Sequence, residues 1–304
     1  MQMTIENEPQ VSLIVVSYNM ARELPRVLLS LTPPYQQGIE ARDIEIIVVD
    51  NGSIVPPDPS SFPQGVRLRV VENPTVSPAR AINVGLKDAC GDLIGVLIDG
   101  ARMASPGLCK YALLAARLHH RPIISTLGFH LGPDIQRRSL DQGYCQREED
   151  RLLDSIRWQD NGYGLFEISV FAGSSKHGWF MPIAESNALF LTRALWNELD
   201  GFEERFELPG GGLVNLDTYV RACKLPNTEL ITLLGEGTFH QVHGGITTNQ
   251  NKQDISWKVF HQNYIDIRGK NFAVPSKPCL FLGTIPPAVR KSIKLAADLL
   301  VNHV

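Results

Sequence analysis

Two short, mainly apolar segments constrain the fold of this chain most. Residues 11–17 (VSLIVVS) and 44–49 (IEIIVV) are rich in β-branched side chains and do not alternate with polar ones. This pattern is typical of strands buried on both faces of a parallel sheet. Ligands of open α/β sheets bind beyond the carboxyl ends of such strands. The polar residues there predict a nucleotide crevice, and they are Ser17, Tyr18, Asn19, Asp50, Asn51 and Ser53.

Helices and strands alternate through the first hundred residues. Apolar spacing and turn residues predict a β-α-β-β-α-β series, the pattern of a doubly wound nucleotide-binding half. After the strand at 11–17, its members are a helix at 21–31, strands at 44–49 and 66–71, a helix from 79 to about 90, and a strand at 93–98.

The pattern is less regular further along the chain. Residues 128–179 are charged, Gly-rich and aromatic, with an exposed helix predicted at 147–157. Insertions of this size are more often functional than decorative. The remaining predicted elements are a helix at 106–119, strands at 122–127 and 188–191, helices at 193–199 and 216–223, a strand at 229–234 and a helix at 286–304.

Composition narrows the functional class and the compartment. A formal net charge of −3 over 304 residues argues against general nucleic-acid binding. Five scattered cysteines, the absence of a signal-peptide pattern and the lack of a long apolar run favour a cytoplasmic protein. The helix predicted at 286–304 has an apolar face beside basic residues. It either packs on the domain or makes a peripheral contact with the inner face of a membrane.

Six segments, taken in order, resemble the family-two glycosyltransferases of the GT-A fold. They extend over about residues 10–245, and no one of them is specific alone. They are VSYN at 16–19, VDNGS at 49–53, RAINVG at 80–85, LIDGA at 97–101, SNALF at 186–190 and GFEERF at 201–206. The resemblance implies an α/β fold with a Rossmann-like mixed, mostly parallel sheet flanked by helices.

The resemblance also implies an activity. Such an enzyme moves a sugar, with inversion, from a nucleotide diphosphate donor to a glycan or lipid-linked acceptor, often in surface polysaccharide biosynthesis. Residues 1–127 would then be the donor-binding half, 128–250 the acceptor and catalytic half of the same domain, and 251–304 a C-terminal helical extension. The expected partners are the nucleotide-sugar and the acceptor, without nucleic acid.

The donor contacts follow from the polar strand ends. Asp50 is expected to accept from a base N–H or a ribose hydroxyl, Tyr18 to lie against the base, and Ser17 and Asn19 to add polar contacts. The alternative is that residues 50–53 form only a tight turn, because Asn-Gly is a favoured turn pair. Arg80 either pairs with a phosphate or is a solvated helix charge.

The metal motif departs from the family pattern. Asp99 is retained, but Ala101 stands where the second carboxylate belongs. A divalent cation, Mn²⁺ or Mg²⁺, would need another ligand, and His240 or His243 can supply it from a predicted loop. We choose His240, and an imidazole ligand favours Mn²⁺. Alternatively, a histidine binds the diphosphate directly without metal.

The position of the general base also departs from the family pattern. Asn215 occupies the family's base position, and an amide has no useful proton affinity. Asp217 is the first candidate base, although it is equally a first-turn helix carboxylate. Glu185 is the other, as base or as acceptor contact. Trp179 and Phe180 either stack on sugars or belong to the core.

Three alternatives to the transferase differ in the residues that they require. A degenerate, inactive nucleotide-sugar-binding protein of the same fold would explain Ala101 and Asn215. A dinucleotide-dependent oxidoreductase would need glycines after the first strand, where residues 17–20 have none. A sugar nucleotidyltransferase would need a Gly-rich basic loop at the same place.

Overall fold

The computed structural model describes residues 8–243 and 257–302. Ten strands of this part of the chain form one mixed sheet with helices packed against it. The strands are β1 Val11–Ser17, β2 Ile44–Asp50, β3 Val66–Val70, β4 Leu93–Leu97, β5 Arg102–Ala104, β6 Pro122–Leu131, β7 Ser169–Phe171, β8 Ala188–Thr192, β9 Glu229–His240 and β10 Cys279–Gly283. The helices are α1 Leu24–Leu31, α2 Ala79–Asp88, α3 Leu108–Ala116, α4 Gln136–Asp141, α5 Gln146–Ser155, α6 Arg193–Leu199, α7 Val214–Lys224, α8 Trp257–Arg268 and α9 Arg290–Val301.

The sheet confirms the predicted α/β architecture. Its strand order is β10-β9-β6-β8-β4-β1-β2-β3, with β5 added to β9 and β7 added to β6. Strand β8 runs antiparallel to both β4 and β6, whereas the other neighbours along this order run parallel. Strands β1 and β2 are buried along their whole length, as their unbroken apolar patterns predicted.

Helix packing explains the apolar spacing of the first half. Helix α1 buries Leu24, Val27, Leu28 and Leu31, which lie on one face at helical spacing. Helix α2 approaches the sheet closely at Gly85, where an added Cβ would lie 2.6 Å from a side-chain carbon of Ile14. A larger residue at Gly85 would therefore push α2 away from β1.

Strand β9 is longer than predicted, and this corrects the loop assigned to residues 235–243. Gly235 and Gly237 suggested the end of a strand, but β9 continues to His240. The glycines belong to an irregularity in the pairing with β6: Thr232 lies opposite Ser125, and Gly237 lies opposite Leu127. Such a bulge bends a strand without ending it, so the interrupted apolar pattern was misleading.

The insertion at 128–179 and the C-terminal region contain elements that the sequence did not predict. Strand β6 extends to Leu131 and pairs with β7, and residues 162–168 form a 3₁₀ helix. Strand β10 pairs in parallel with β9 inside the stretch that was predicted as a helical extension. Gly235 accommodates this neighbour closely, because a Cβ there would lie within 1.9 Å of the Thr284 carbonyl oxygen.

The predicted terminal helix is present as α9, and it packs on the insertion. Ala296 is fully buried, and a Cβ on Gly178 would lie 2.4 Å from the Ala296 methyl group. Leu295 and Val301 are exposed on the same helix. Within residues 8–243 and 257–302, every helix is too short or too polar to cross a bilayer.

Candidate functional site

The polar ends of β1 and β2 meet, as predicted. Ser17 lies opposite Asp50 in the parallel register. The Asn19 backbone N–H donates to Ser53 Oγ at 2.8 Å, and Asn19 Oδ1 accepts from the Ile54 N–H at 2.9 Å. Asn19 adopts a left-handed backbone conformation that lets its side chain reach across. The two loops therefore form one polar ledge, consisting of residues 17–19 and 50–53.

Side chains of this polar ledge retain capacity for a ligand. Asp50 is fully buried, and it accepts from both the hydroxyl and the backbone N–H of Ser53. A carboxylate has further lone pairs beyond these two bonds. Ser17 Oγ and Asn51 Oδ1 are buried and have no hydrogen-bond partner among the described residues. Tyr18 is 54% exposed, so its ring is accessible to a base.

Helix α2 follows the ledge and carries two residues of the family pattern. Arg80 is exposed in its first turn. Asn83 instead braces the chain: its Nδ2 donates to the Phe202 carbonyl and to Glu204, and its Oδ1 accepts from the Phe202 N–H at 2.8 Å. Asn83 thus connects α2 to the segment after α6, and Arg80 remains a candidate for phosphate contact.

Three side chains converge at the end of β4 into a cluster suited to a metal ion. One ligand atom each from Asp99, His240 and His243 lie within 4.8 Å of one another. The two Nε2 atoms are 3.1 Å apart, and His240 Nε2 is 3.6 Å from Asp99 Oδ2. Two nitrogens bound at about 2.1 Å to one cation would be separated by about 3.0 to 3.4 Å. The cluster therefore fits a divalent cation.

Residues around the cluster fix the orientation of His240. Its Nδ1 lies 2.6 Å from Gln136 Oε1, and Gln136 Nε2 donates to the Gln241 carbonyl. With its oxygen toward the ring, Gln136 accepts from Nδ1–H and leaves the Nε2 lone pair for a cation. The Gln136 backbone N–H donates to His130 Nδ1 at 2.9 Å, which also requires a neutral ring.

Burial keeps these histidines neutral. Burial, followed by the charge of Arg102, lowers the pKa of His130 to about 4 and holds the pKa of His240 well below its usual range. Burial also lowers the pKa of His243, against the opposing effect of Asp99. Neutral imidazoles are the form that binds metals.

Arg102 stands beside the cluster and was not identified from the sequence. It opens β5, directly opposite His240 on β9. Its Nε donates to Asp99 Oδ2 at 2.9 Å, and its side chain is only 11% exposed. Arg102 Nη1 is buried and lacks a hydrogen-bond partner within the described parts of the chain. The guanidinium of Arg102 therefore lies next to Ala101, which stands where the family pattern has a second carboxylate.

The loop that bears His243 is held by the insertion. The Val242 N–H donates to Glu149 Oε2 at 2.7 Å, and Arg22 contacts both Glu149 Oε1 and the Val242 carbonyl. Burial raises the pKa of Glu149 to about 7, against the effects of its Val242 and Arg22 contacts. Helix α5 of the insertion therefore has a positioning role that its charged sequence did not indicate.

Glu185 and Asn215, two residues of the predicted base region, are in contact. Asn215 Nδ2 donates to Glu185 Oε2 at 2.6 Å. Glu185 precedes β8, whose Ala188 pairs with Leu97 of β4. Because those strands are antiparallel, the chain before Ala188 and the chain after Leu97 leave the sheet at one edge. Half-buried Glu185 therefore lies at the edge that bears Asp99.

Asp217 is engaged in the interior. Its side chain is 1% exposed, Arg268 donates to both carboxylate oxygens at 2.7 Å, and Arg221 adds a bond at 2.8 Å. Arg221 also bonds the carbonyls of Leu199 and Gly201. Asp217 therefore links α7, α8 and the turn after α6, and the residue predicted as the first candidate base has a structural set of partners.

The two predicted aromatic residues pack against other aromatic side chains. Trp179 is buried among aromatic rings, including Phe129 and Phe171, and its Nε1 donates to the Leu233 carbonyl. Half-buried Phe180 packs edge-on against Phe281. Of the two alternatives, the structure supports core packing for Trp179.

Comparison with known proteins identifies the first part of the chain. Residues 12–100 match the model of the family described as glycosyl transferase family 2. The matched stretch contains the polar ledge and ends one residue after Asp99. No curated protein sequence matches the chain.

Solved structures with a similar fold share little sequence identity with this chain. S. aureus TarS 1–349 is 16% identical, with a TM-score of 0.50 over 76% of this chain and 60% of that one. TarS 1–349 in complex with UDP-GlcNAc is 14% identical, with a TM-score of 0.50 over 97% and 72% of the two chains. This chain spans 60% of the length of the former, and the likeness concerns the fold.

Proposed function

Taking as premise that the chain is a family-two glycosyltransferase of the GT-A fold, we propose that it transfers a sugar with inversion from a nucleoside diphosphate donor. The proposed acceptor is a glycan or a lipid-linked sugar, in the synthesis of a surface polysaccharide. One observation supports the transfer reaction above the others. The polar ledge, the Asp99–His240–His243 cluster and Glu185 lie along the same edge of the sheet.

The polar ledge would bind the nucleoside. Asp50 accepts from the base or ribose with its remaining lone pairs, and Tyr18 covers the base. Ser17 Oγ and Asn51 Oδ1 would gain the partners that the described residues do not provide. Satisfying a buried polar atom removes a cost of about 1–3 kcal/mol, so both atoms favour a polar ligand. Exposed Arg80 would contact a phosphate.

The cation site would lie next to the leaving diphosphate. Asp99, His240 and His243 would hold a divalent cation, and the two nitrogen ligands favour Mn²⁺ over Mg²⁺. When bound, the cation would neutralise charge that develops on the diphosphate. Gln136 keeps the His240 ring oriented for this task.

Of the two candidate carboxylates, we assign the general base to Glu185. It would take the acceptor hydroxyl proton as the acceptor oxygen attacks the anomeric carbon and the bond to the diphosphate breaks. Attack from the side opposite the diphosphate inverts the configuration. Asn215 holds the carboxylate through its 2.6 Å hydrogen bond, while Asp217 retains its arginines.

The test begins with donor binding and ends with stereochemistry. Titration calorimetry with UDP, GDP, CDP and ADP, each with and without Mn²⁺, should identify one nucleotide that binds. The matching nucleotide-sugars are then screened against glycan acceptors, and NMR reads the anomeric configuration of the product. Absence of binding by all four nucleotides would reject the function, and retention of configuration would reject the assigned mechanism.

The second candidate function is nucleotide-sugar binding without turnover. Ala101 and Asn215, which replace two carboxylates of the family pattern, are the observations that favour it. Hydrolysis of the donor in the absence of acceptor separates the two possibilities. An active enzyme would turn over many donor molecules without acceptor in several hours, and this hydrolysis is detectable. Tight binding with neither transfer nor hydrolysis would support the inactive form.

The proposal includes a cytoplasmic location with contact at the membrane. Helix α9 presents Leu295 and Val301 beside Lys294, a composition suited to an anionic bilayer surface. Cosedimentation with vesicles containing anionic lipid tests this part, with Leu295→Glu as the variant expected to abolish it. Equal sedimentation of both proteins would remove the membrane contact from the proposal.

A further inference from the structure

We propose that Arg102 is a diphosphate-binding residue that also controls access of the cation to Asp99. The inference rests on the proposed function and adds a residue to its site. In the free protein Arg102 neutralises Asp99. A diphosphate would draw the guanidinium toward its own oxygens, and Asp99 would then be available to a cation.

The local charge is the first argument. Asp99 contributes one negative charge and Arg102 one positive charge, and an imidazole ligand binds a metal as the neutral ring. Hard divalent cations depend on anionic oxygen ligands, and a site without net negative charge binds them weakly. The cluster has suitable geometry for a cation, but with Arg102 in place it lacks the charge. Two phosphate groups would supply that charge.

The bonding of the guanidinium is the second argument. Arg102 uses Nε for Asp99 Oδ2, while buried Nη1 has no hydrogen-bond partner among residues 8–243 and 257–302. A buried N–H of a cation is costly to leave unpaired. Phosphate oxygens match the geometry of the N–H groups of a guanidinium. Nη1 is therefore available to a phosphate oxygen, although Nε is already bonded to Asp99.

The position of Arg102 is the third argument. Its place on β5 opposite His240 holds it by backbone pairing rather than on a mobile loop. The adjacent Ala101 is fully buried and bonded through its N–H to Asp99 Oδ1 and through its carbonyl to the Gln241 N–H. The chain therefore replaces a metal-binding carboxylate by a small core residue and adds a fixed cation one residue later.

The test measures two ligands on variants of the whole chain. Pyrophosphate binding is measured by calorimetry in the presence of EDTA, which makes the readout independent of metal and of the nucleoside. Mn²⁺ binding without nucleotide is measured by electron paramagnetic resonance of the free ion. The variants are Arg102→Gln and Arg102→Lys. The matched control is Arg69→Gln, because Arg69 also pairs with an aspartate through Nε, at 3.2 Å from Asp88.

Opposite changes are expected for the two ligands. Arg102→Gln should weaken pyrophosphate binding about 10- to 100-fold, the effect of one charge-assisted contact. The same variant should bind Mn²⁺ alone at least about tenfold more tightly, because the Asp99 carboxylate is no longer paired with a guanidinium. Arg102→Lys retains the charge without the fork, so it should weaken pyrophosphate binding while Mn²⁺ binding stays close to wild type. Arg69→Gln should change neither.

Several results would overturn the inference. Unchanged pyrophosphate affinity in both Arg102 variants would remove the residue from diphosphate binding, and unchanged Mn²⁺ affinity in Arg102→Gln would remove it from control of Asp99. Circular dichroism melting of each variant checks folding, and Arg102→Lys provides the answer if Arg102→Gln unfolds. If pyrophosphate and Mn²⁺ respond as expected but no nucleotide binds, the proposed function fails and the role of Arg102 stands.

Discussion

The proposed donor side of the site and its proposed catalytic side differ in how closely they match the family pattern. The donor side, residues 11–100, matches the family model almost throughout and places its polar residues at the ends of parallel strands. The catalytic side has Arg102 after Ala101, and Glu185 in contact with Asn215. Binding a nucleotide requires the particular shape of the polar ledge. Charge compensation and proton transfer can instead be supplied by more than one set of side chains near the ledge. The roles of the side chains on the catalytic side therefore follow from their contacts rather than from their match to the family pattern.

The largest effect on turnover is expected for Asp99, which lies where the two sides meet. Asp99→Asn removes the only anionic ligand of the described cluster, so kcat should fall by about 10³-fold or more. Steady-state turnover with the identified donor measures it. Asp92→Asn, an exposed aspartate just before β4, is the control. A loss below tenfold would mean that the cation cluster is not part of catalysis.

Glu185→Gln tests the catalytic side alone. The variant keeps the size of the side chain but cannot accept the proton, so kcat should fall by about 10²- to 10⁴-fold while nucleotide affinity stays unchanged. The double variant Glu185→Gln with Asn215→Asp returns a carboxylate to the family position and should recover part of the rate. Exposed Glu207→Gln is the control. Equal loss of binding and turnover would show that Glu185 holds the donor instead.

Asp217→Asn separates a structural carboxylate from a catalytic one. The substitution leaves Arg221 and Arg268 without their buried partner, so the free energy of unfolding should fall by roughly 3–5 kcal/mol. Urea unfolding measures the change. Asp160→Asn, which breaks an exposed pair with Arg157, should cost less than about 1 kcal/mol. A stable Asp217→Asn protein with no turnover would reverse the assignment in favour of Asp217 as the base.

Asp50→Ala tests the donor side. Loss of the buried carboxylate should weaken nucleoside diphosphate binding by about 10- to 100-fold, while pyrophosphate binding should not change. Calorimetry with both ligands gives the comparison, and exposed Asp58→Ala is the control. Equal weakening of both ligands would show that Asp50 acts on the phosphates or on the fold of the ledge.

The next effect depends on pH and concerns Glu236, a buried carboxyl on β9. Burial raises the pKa of Glu236 from 4.5 to about 7, against bonds from Ser105, Tyr163 and the Gly107 N–H. Between these values the unfolded chain ionises while the folded one keeps its proton, so this group lowers stability as pH rises toward 7. The loss is complete above pH 7.

Glu236→Gln removes this titration. The free energy of unfolding of the variant, minus that of the wild type, should therefore rise between pH 4.5 and pH 8 by roughly 3 kcal/mol at most. Urea unfolding at several pH values measures the difference, which cancels the effects of the buried histidines. Exposed Glu72→Gln is the control. A constant difference for Glu236→Gln would place its pKa near the ordinary value in the folded protein.

The helices, the strands and the polar ledge could be predicted from the sequence better than the contacts of Glu185 and Glu149, for physical reasons. Buried parallel strands and amphipathic helices leave local patterns, so β1, β2 and α1 were predicted close to their observed bounds. The pairing of Asn215 with Glu185 joins residues 30 positions apart, and the Glu149 contact with Val242 spans 93. Such contacts leave no periodic signal. Arg102 has a local signal, because it is a cation three residues after Asp99, but a single arginine beside a strand is too common to indicate a site by itself.

The irregularity in β9 divides one strand into two sections with separate tasks. Leu230–Leu234 pairs with β10, and Gly237–His240 pairs with the far part of β6 and ends at His240 of the candidate cation cluster. The pairing with β6 shifts between the two sections, because Thr232 pairs with Ser125 and Gly237 pairs with Leu127. The C-terminal strand β10 therefore pairs with the first section, whereas β5 and β6 hold the section that ends at His240. One strand thus connects the outer edge of the sheet to the candidate cation cluster.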